Sequence, residues 1–175
     1  SPEVHLDDTG LTAQGDKNYL WVMTPTEHES AVFTIGTRGK GNAEKLLGED
    51  YKGTRITDCY VAYKNLTGTH QVCWVHILRA ARDITNSEIL SNEKRGLCRA
   101  FYARLYELYT EIQQVSGTAF DESERAAHAE VLAEKTQILT APNPAYPRKL
   151  RDLQKRLTAY KHALFACVMK PNIPP

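Results

Sequence analysis

Short alternations of hydrophobic and polar residues in the first half of the chain predict β-strands separated by turns. The predicted strands are Val4–Asp7, Tyr19–Met23, Ala31–Ile35, Thr54–Thr57 and Gln71–Trp74. A polar, glycine-containing stretch at Gln14–Asn18 predicts a hairpin turn between the first two strands. Short helices are predicted at Asn42–Leu47, at Tyr60–Leu66 and from about Val75 to Ile84.

From Asn92 onward the apolar residues recur at the spacing of an α-helix. A first helix is predicted from their stripe, and a second from Asp121 to Leu139, where Asp121 and Glu124 are placed as a capping box. Prolines follow the second helix, and a third is predicted to carry Leu150 to Val168. Tyr102, Tyr106 and Tyr109 widen the stripe of the first helix, and at this spacing they favour packing in the core over stacking on bases.

The element order βββ-α-β-α-β-α is that of the ribonuclease-H-like fold, a mixed sheet covered by helices. The sequence therefore predicts an α/β core at residues 1–90, followed by a region of three helices at residues 91–175. Composition agrees with an ordinary globular protein, since 42% of residues are hydrophobic and 25% are charged. No apolar run is long enough for a membrane span, and four scattered cysteines suit reduced thiols, so we expect a cytoplasmic protein.

The small net charge of +1 conceals two halves of opposite sign. Residues 1–93 hold 9 Lys and Arg against 13 Asp and Glu, whereas residues 94–175 hold 13 against 8. Much of the positive excess lies near the start of the third predicted helix, where Arg148, Lys149, Arg151 and Lys155 are candidates for contact with DNA phosphates. An ordinary solvated helix face explains the same pattern equally well.

Two aspartates follow predicted neighbouring strands and are the candidate catalytic residues. Asp7 is placed at the end of the first strand and Asp58 at the end of the fourth. Carboxylates that converge at the ends of neighbouring strands can hold Mg²⁺, or Mn²⁺ as a substitute, for phosphodiester chemistry. Taken singly, each aspartate is more typical of a turn or a helix cap than of a metal site.

An ordered set of short motifs resembles the DDE transposases of the insertion-sequence family numbered sixty-six. The motifs are His5-Leu6-Asp7-Asp8-Thr9-Gly10, Tyr19-Leu20-Trp21-Val22, Thr37-Arg38-Gly39, Thr57-Asp58-Cys59-Tyr60-Val61-Ala62-Tyr63 and Cys73-Trp74-Val75-His76. The resemblance implies metal-dependent cleavage and transfer of DNA strands, with Asp7 and Asp58 as the first two acids. It also implies a prokaryotic, nucleoid-associated protein whose partners are transposon ends and target DNA, with a homodimer possible. An inactive or domesticated domain that only binds DNA or oligomerises is the alternative.

Departures from the family pattern concern the acids and their neighbours. The family commonly has Glu where Asp8 stands and often Gly where Cys59 stands. Its last acid would come after a segment like Lys170–Pro175, so we expect residues 1–175 to lack it, to hold metal only weakly and to be inactive alone. Asp8-Thr9-Gly10 also resembles the motif of aspartic proteases, but Asp7 puts a charge where those proteases need an apolar strand.

The resemblance implies supporting roles for further residues. Asp8, Cys73 and His76 are expected beside the metal ligands, and His76 is otherwise a buried, hydrogen-bonded histidine. A zinc site at His70, Cys73 and His76 is disfavoured because no second pair of ligands follows. Basic residues near the core complete the candidate DNA contacts: Arg38, Lys40, Arg79 and Arg82.

Overall fold

A long β-hairpin begins the chain in the computed structural model, which describes residues 2–13 and 15–175. Strand β1 (Glu3–Ala13) pairs antiparallel with β2 (Asp16–Pro25), and β2 pairs antiparallel with β3 (Val32–Gly36). The hairpin is longer than the sequence predicted, because Thr9-Gly10-Leu11-Thr12-Ala13 continues β1 and Asp16 already belongs to β2. The predicted turn at Gln14–Asn18 is therefore too wide. Gly15 takes a φ of 87°, which glycine adopts without strain, and Gln14 lies outside the described residues.

Two parallel strands complete a five-stranded mixed sheet of order β3-β2-β1-β4-β5. Strand β4 (Thr54–Thr57) pairs parallel with β1 and with β5 (Thr69–Val72). The prediction that the first and fourth strands are neighbours is thus confirmed. The β1–β4 pairing is short, joining only Glu3–His5 to Thr54–Ile56, whereas β1 pairs with β2 along its whole length.

One face of this sheet is covered by the helix α1 (Lys40–Leu47) and the turn that follows β4. Alternate residues of β1, such as Val4 and Leu6, pack there against Trp21, Leu47 and Tyr63. The helix predicted at Tyr60–Leu66 shrinks to one turn of 3₁₀ helix at Val61–Tyr63.

Buried Arg55 explains why that helix is short. Its guanidinium donates to the carbonyls of Tyr63, Thr67 and Gly68, at distances between 2.6 and 3.3 Å. Carbonyls that accept from a guanidinium in this way satisfy their hydrogen-bonding need outside a helix. Strand β4 thereby fixes the loop that carries Tyr60 and Tyr63.

The second compact unit, Cys73–Pro175, is helical, and the first is Ser1–Val72. The helices are α2 (Trp74–Thr85), α3 (Asn92–Ser116), α4 (Glu122–Leu139), α5 (Arg148–Ala159) and α6 (Ala166–Met169). The apolar stripe of α3 is buried at Phe101, Leu105, Leu108 and Ile112, and the capping box of Asp121 and Glu124 is confirmed. The tyrosine prediction fails at Tyr106, which is 52% exposed. The predicted boundary near residue 90, between the α/β core and the region of three helices, stays a prediction.

Two details of the helical unit differ from the sequence-based expectation. Trp74 begins α2 instead of ending a strand, and its buried indole donates to the carbonyl of Leu164 at 2.9 Å. The third predicted helix is broken into α5, a 3₁₀ turn at Lys161–Ala163 and α6. The break is stabilised from outside the helix, because the Leu164 carbonyl accepts from Trp74 and the Val168 carbonyl accepts from buried Arg125.

Within the described part of the chain, no helix is both long and apolar enough to cross a lipid bilayer.

Candidate functional site

Asp7 and Asp58 lie just past the point where β1 and β4 stop pairing. The parallel register joins His5 to Ile56, and its continuation by two residues sets Asp7 level with Asp58. Asp58 follows β4 directly, as predicted. Asp7 does not end β1, and this part of the prediction is wrong, because β1 runs on as the partner of β2. What ends near Asp7 is the pairing with β4, just before the level at which Asp58 follows β4.

Each of these two carboxylates is oriented by a backbone amide. The amide of Asp8 donates to Oδ1 of Asp7 at 2.9 Å, and the amide of Tyr60 donates to Oδ1 of Asp58 at 2.7 Å. Both side chains are half-buried. Amide hydrogen bonds of this kind hold a carboxylate in a fixed orientation.

The pKa of the Tyr63 phenol is affected by the charges of three acids. Burial raises the pKa of Tyr63 first, and the negative charges of Asp8, Asp58 and Asp7 raise it further. Three carboxylates therefore act on one hydroxyl group, which stays protonated at neutral pH. We call Asp7, Asp8 and Asp58 the acidic cluster, and of these three Asp8 is hydrogen-bonded to the hydroxyl of Tyr63.

Asp8 has a different environment from Asp7, because successive residues of a strand point to opposite faces. Its side chain is only 2% exposed and both oxygens are engaged. Oδ1 accepts from the hydroxyl of Tyr63 at 3.0 Å, and Oδ2 accepts from Nε of Arg38 at 2.9 Å. The structure thus gives Asp8 the role of an anchor for Tyr63 and Arg38.

Arg38 is held between two aromatic rings at the edge of this cluster. Its guanidinium carbon lies 4.1 Å from the ring centre of Tyr60 and 5.2 Å from that of Tyr19. Desolvation opposes the charge, but Asp8, Tyr60 and Tyr19 outweigh it, so the pKa of Arg38 is raised. The result is a permanently charged, 41% exposed side chain beside Asp8.

The tyrosines are the part of the site that the sequence reading missed. Tyr60 and Tyr63 were predicted as part of a helix and of a family motif but not as site residues. Tyr63 bonds Asp8, the ring of Tyr60 lies against Arg38, and the two ring centres are 5.9 Å apart. A spacing of three places two side chains on one side of a 3₁₀ turn. That spacing directly after a candidate metal ligand is the signal that points to them.

The remaining predicted residues are spread over the surface and the helical unit. Lys40 forms an ion pair with Glu44 within α1 at 2.7 Å, and Arg79 and Arg82 are exposed on α2. Arg148, Lys149, Arg151 and Lys155 are exposed on α5, where Arg148 lies 3.8 Å from Asp152. These positions leave every one of them accessible to a polyanion.

Cys73 and His76 interact with each other at the start of α2. Burial pushes the pKa of the Cys73 thiol upward, but hydrogen bonds and charge from His76 outweigh it, and the net pKa is lowered. His70 lies on β5 and shares a 2.8 Å hydrogen bond with Oγ1 of Thr57. Among the residues that the structure describes, no three His, Cys, Asp or Glu side chains are grouped so that they could hold a metal ion.

Comparison with known proteins gives one match. A family model described as "Transposase IS66 family" matches residues 1–175, the full length given. No curated protein and no solved structure matches the chain.

Proposed function

Since the chain belongs to the transposase IS66 family, we propose that Asp7 and Asp58 together bind a divalent metal ion for the cleavage and joining of DNA strands. Membership of this family supports a transposase-related role in DNA processing. The observation that carries the proposal is the β1–β4 register, whose continuation sets Asp7 level with Asp58. The charges of Asp58 and Asp7, which both raise the pKa of Tyr63, agree with it.

The donor set fits Mg²⁺ or Mn²⁺. Carboxylate oxygens are hard ligands, and Mg²⁺ in proteins is commonly held by one or two carboxylates, with water and substrate phosphate oxygens completing its shell. When bound, the metal would activate the attacking oxygen and stabilise the leaving oxygen of the phosphodiester. The chain's own residues orient the two carboxylates through the amides of Asp8 and Tyr60.

Arg38 is placed to receive the negatively charged substrate. Asp8 and the rings of Tyr19 and Tyr60 hold its guanidinium beside the acids. A phosphate near two carboxylates is repelled unless a cation offsets their charge, and Arg38 supplies one without a proton transfer. In this proposal Asp8 and Tyr63 are positioning residues, and the supporting roles expected of Cys73 and His76 stay predictions.

A ribonuclease-H-like fold is part of the same proposal. The element order and the parallel neighbours β1 and β4 support it. DNA is the proposed partner, with contacts at Lys40, Arg79 and Arg82 and, on α5, at Arg151 and Lys155.

The second candidate is a domain that binds DNA or assembles with its like but does not cleave. Two observations favour it. No group of three His, Cys, Asp or Glu side chains that could hold a metal ion is found among the described residues. Edge strand β3 exposes apolar side chains, with Phe33 at 59% and Ile35 at 61%, and such an edge is a surface for pairing with a second copy.

Metal binding separates the two candidates. Mn²⁺ affinity would be measured by calorimetry in the presence of a short DNA duplex, for the wild type and for Asp7→Asn and Asp58→Asn. We expect each variant to lose at least roughly tenfold in affinity, as loss of even an outer-shell partner commonly does. Asp16→Asn, an exposed aspartate at the start of β2, is the matched control and should bind like the wild type. Equal Mn²⁺ binding by all four proteins would rule out the metal site and leave the second candidate.

A further inference from the structure

A groove of about 810 Å³ lies within the helical unit, between the last turn of α4 and one face of α5. We call it the α4–α5 groove. The residues used in the argument are Gln137, Thr140, Asn143, Arg151, Lys155 and Thr158, all of which line it. The proline-rich connection between the helices forms its floor, with Pro142 and Pro144.

The groove carries charge of one sign. Arg151 and Lys155 are the charged residues among those that line it, and they lie one helical turn apart on the same face of α5. Lys149 and Arg156 face elsewhere, lining a separate pocket that also contains Asp83 and Asp152. The residues that line the α4–α5 groove therefore include positive charges and no acids, whereas the pocket on the other face of α5 includes both.

The walls of the groove are fixed by hydrogen bonds. Nε2 of buried Gln154 donates to the carbonyls of Leu139 and Ala141, at 3.2 and 2.9 Å, and so ties α5 to the end of α4. Arg151 donates from Nη1 to the carbonyl of Pro144 at 3.2 Å. A guanidinium has five donors and this bond uses one of them, so Arg151 is held in place while its charge stays at the groove.

We propose that the α4–α5 groove binds the sugar-phosphate backbone of duplex DNA. This inference rests on the proposed function, since it takes DNA as the partner. Arg151 and Lys155 match phosphates in charge, and Thr140, Asn143 and Thr158 are residue types that contact phosphate oxygens. The carbon-rich walls suit the deoxyribose between phosphates. The site is built entirely within the helical unit and is separate from the acids of the sheet.

Substitutions on one helix provide a matched test. DNA binding would be measured by fluorescence anisotropy with a duplex of random sequence, in EDTA and at several salt concentrations. Arg151→Ala and Lys155→Ala remove charges from the groove, and Lys149→Ala and Arg156→Ala remove equal charges from the other face of α5. All four side chains are exposed, so the variants should fold, which circular dichroism checks.

We expect each groove variant to weaken DNA binding roughly 5-fold, because each loses one phosphate contact. The double groove variant should lower the slope of log affinity against log salt by about 2, while the double control lowers it by less than about 1. Equal effects of the two pairs would show that only net charge matters and would overturn the proposal. So would a wild type that does not bind DNA, or groove variants that bind as tightly as the wild type.

The same proteins separate this inference from the metal site. Arg151→Ala and Lys155→Ala should keep wild-type Mn²⁺ affinity, because both residues lie in the helical unit. Asp7→Asn should keep the metal-free DNA affinity of the wild type or exceed it. Loss of Mn²⁺ binding in Asp7→Asn together with unchanged DNA binding in the groove variants would rule out DNA binding by the groove and would still support the proposed function.

Discussion

Acid should destabilise this protein through His70, and the size of the effect follows from its surroundings. Burial and the nearby charge of Arg55 lower the pKa of His70 to about 4, from 6.5 for an ordinary histidine. Between these two values the unfolded chain binds the proton and the folded chain does not. Stability from neutral His70 is therefore fully present above pH 6.5, declines as the pH falls, and is lost by about pH 4.

The magnitude comes from the same two pKa values. At about 1.4 kcal/mol for each pH unit, protonation of His70 costs up to about 3 kcal/mol of folding free energy. The imidazole is only half-buried by its accessible surface, so water screens part of this and about 2 kcal/mol is expected. The hydrogen bond to Thr57 is retained by an amide side chain, which makes His70→Gln the variant of choice.

Urea unfolding at pH 7.5 and pH 4.5 measures the effect. The wild type should lose about 2 kcal/mol more than His70→Gln between these two pH values. His28→Gln, a substitution of an exposed histidine, is the control and should follow the wild type. The same pH dependence for wild type and His70→Gln would refute the assigned burial of His70 beside Arg55.

Three further predictions concern the acidic cluster, the helical core and catalysis. Tyr63→Phe removes the hydroxyl bound to buried Asp8 and should cost about 2 kcal/mol in urea unfolding, as hydrogen bonds to charged groups do; a loss below about 0.5 kcal/mol would contradict the contact. Leu105→Ala, at a fully buried position of α3, should cost about 3 kcal/mol in the same assay, and a near-neutral result would speak against a packed helical core. Residues 1–175 should nick a supercoiled plasmid only weakly with Mg²⁺, because the described residues add no third ligand to the acids. Robust nicking that Asp58→Ala abolishes would show that the site is complete as it stands.

The sequence predicted those features of the fold that depend on local patterns. Strand β4 and the capping box at Asp121 were placed correctly, because alternation and capping are properties of neighbouring residues. The end of β1 was misplaced, since the strand leaves β4 but continues beside β2, and pairing partners are not encoded locally. The break after α5 was missed for a similar reason, because its carbonyls are satisfied by Trp74 and Arg125, which are distant in sequence.

The candidate site likewise combines features that local sequence predicts with features that depend on contacts between distant residues. Asp7 and Asp58 were identified from the sequence because an ordered set of motifs surrounds them. The roles of Tyr63 and of Asp8 as an anchor depend on a hydrogen bond between residues 55 positions apart. No periodicity reveals such a contact. Which basic residues of α5 line the groove, and which line the pocket on its other face, likewise depends on the three-dimensional arrangement of α5 and its neighbours.

The most direct test of the account is a crystal of the protein soaked with Mn²⁺, with anomalous scattering recorded around Asp7 and Asp58. We expect an anomalous peak bridged by the two carboxylates, at oxygen distances of roughly 2.0–2.3 Å, close to those of Mg²⁺. A map without a peak there, in which the two carboxylates lie far apart or are tied up in salt bridges, would contradict the proposed metal site.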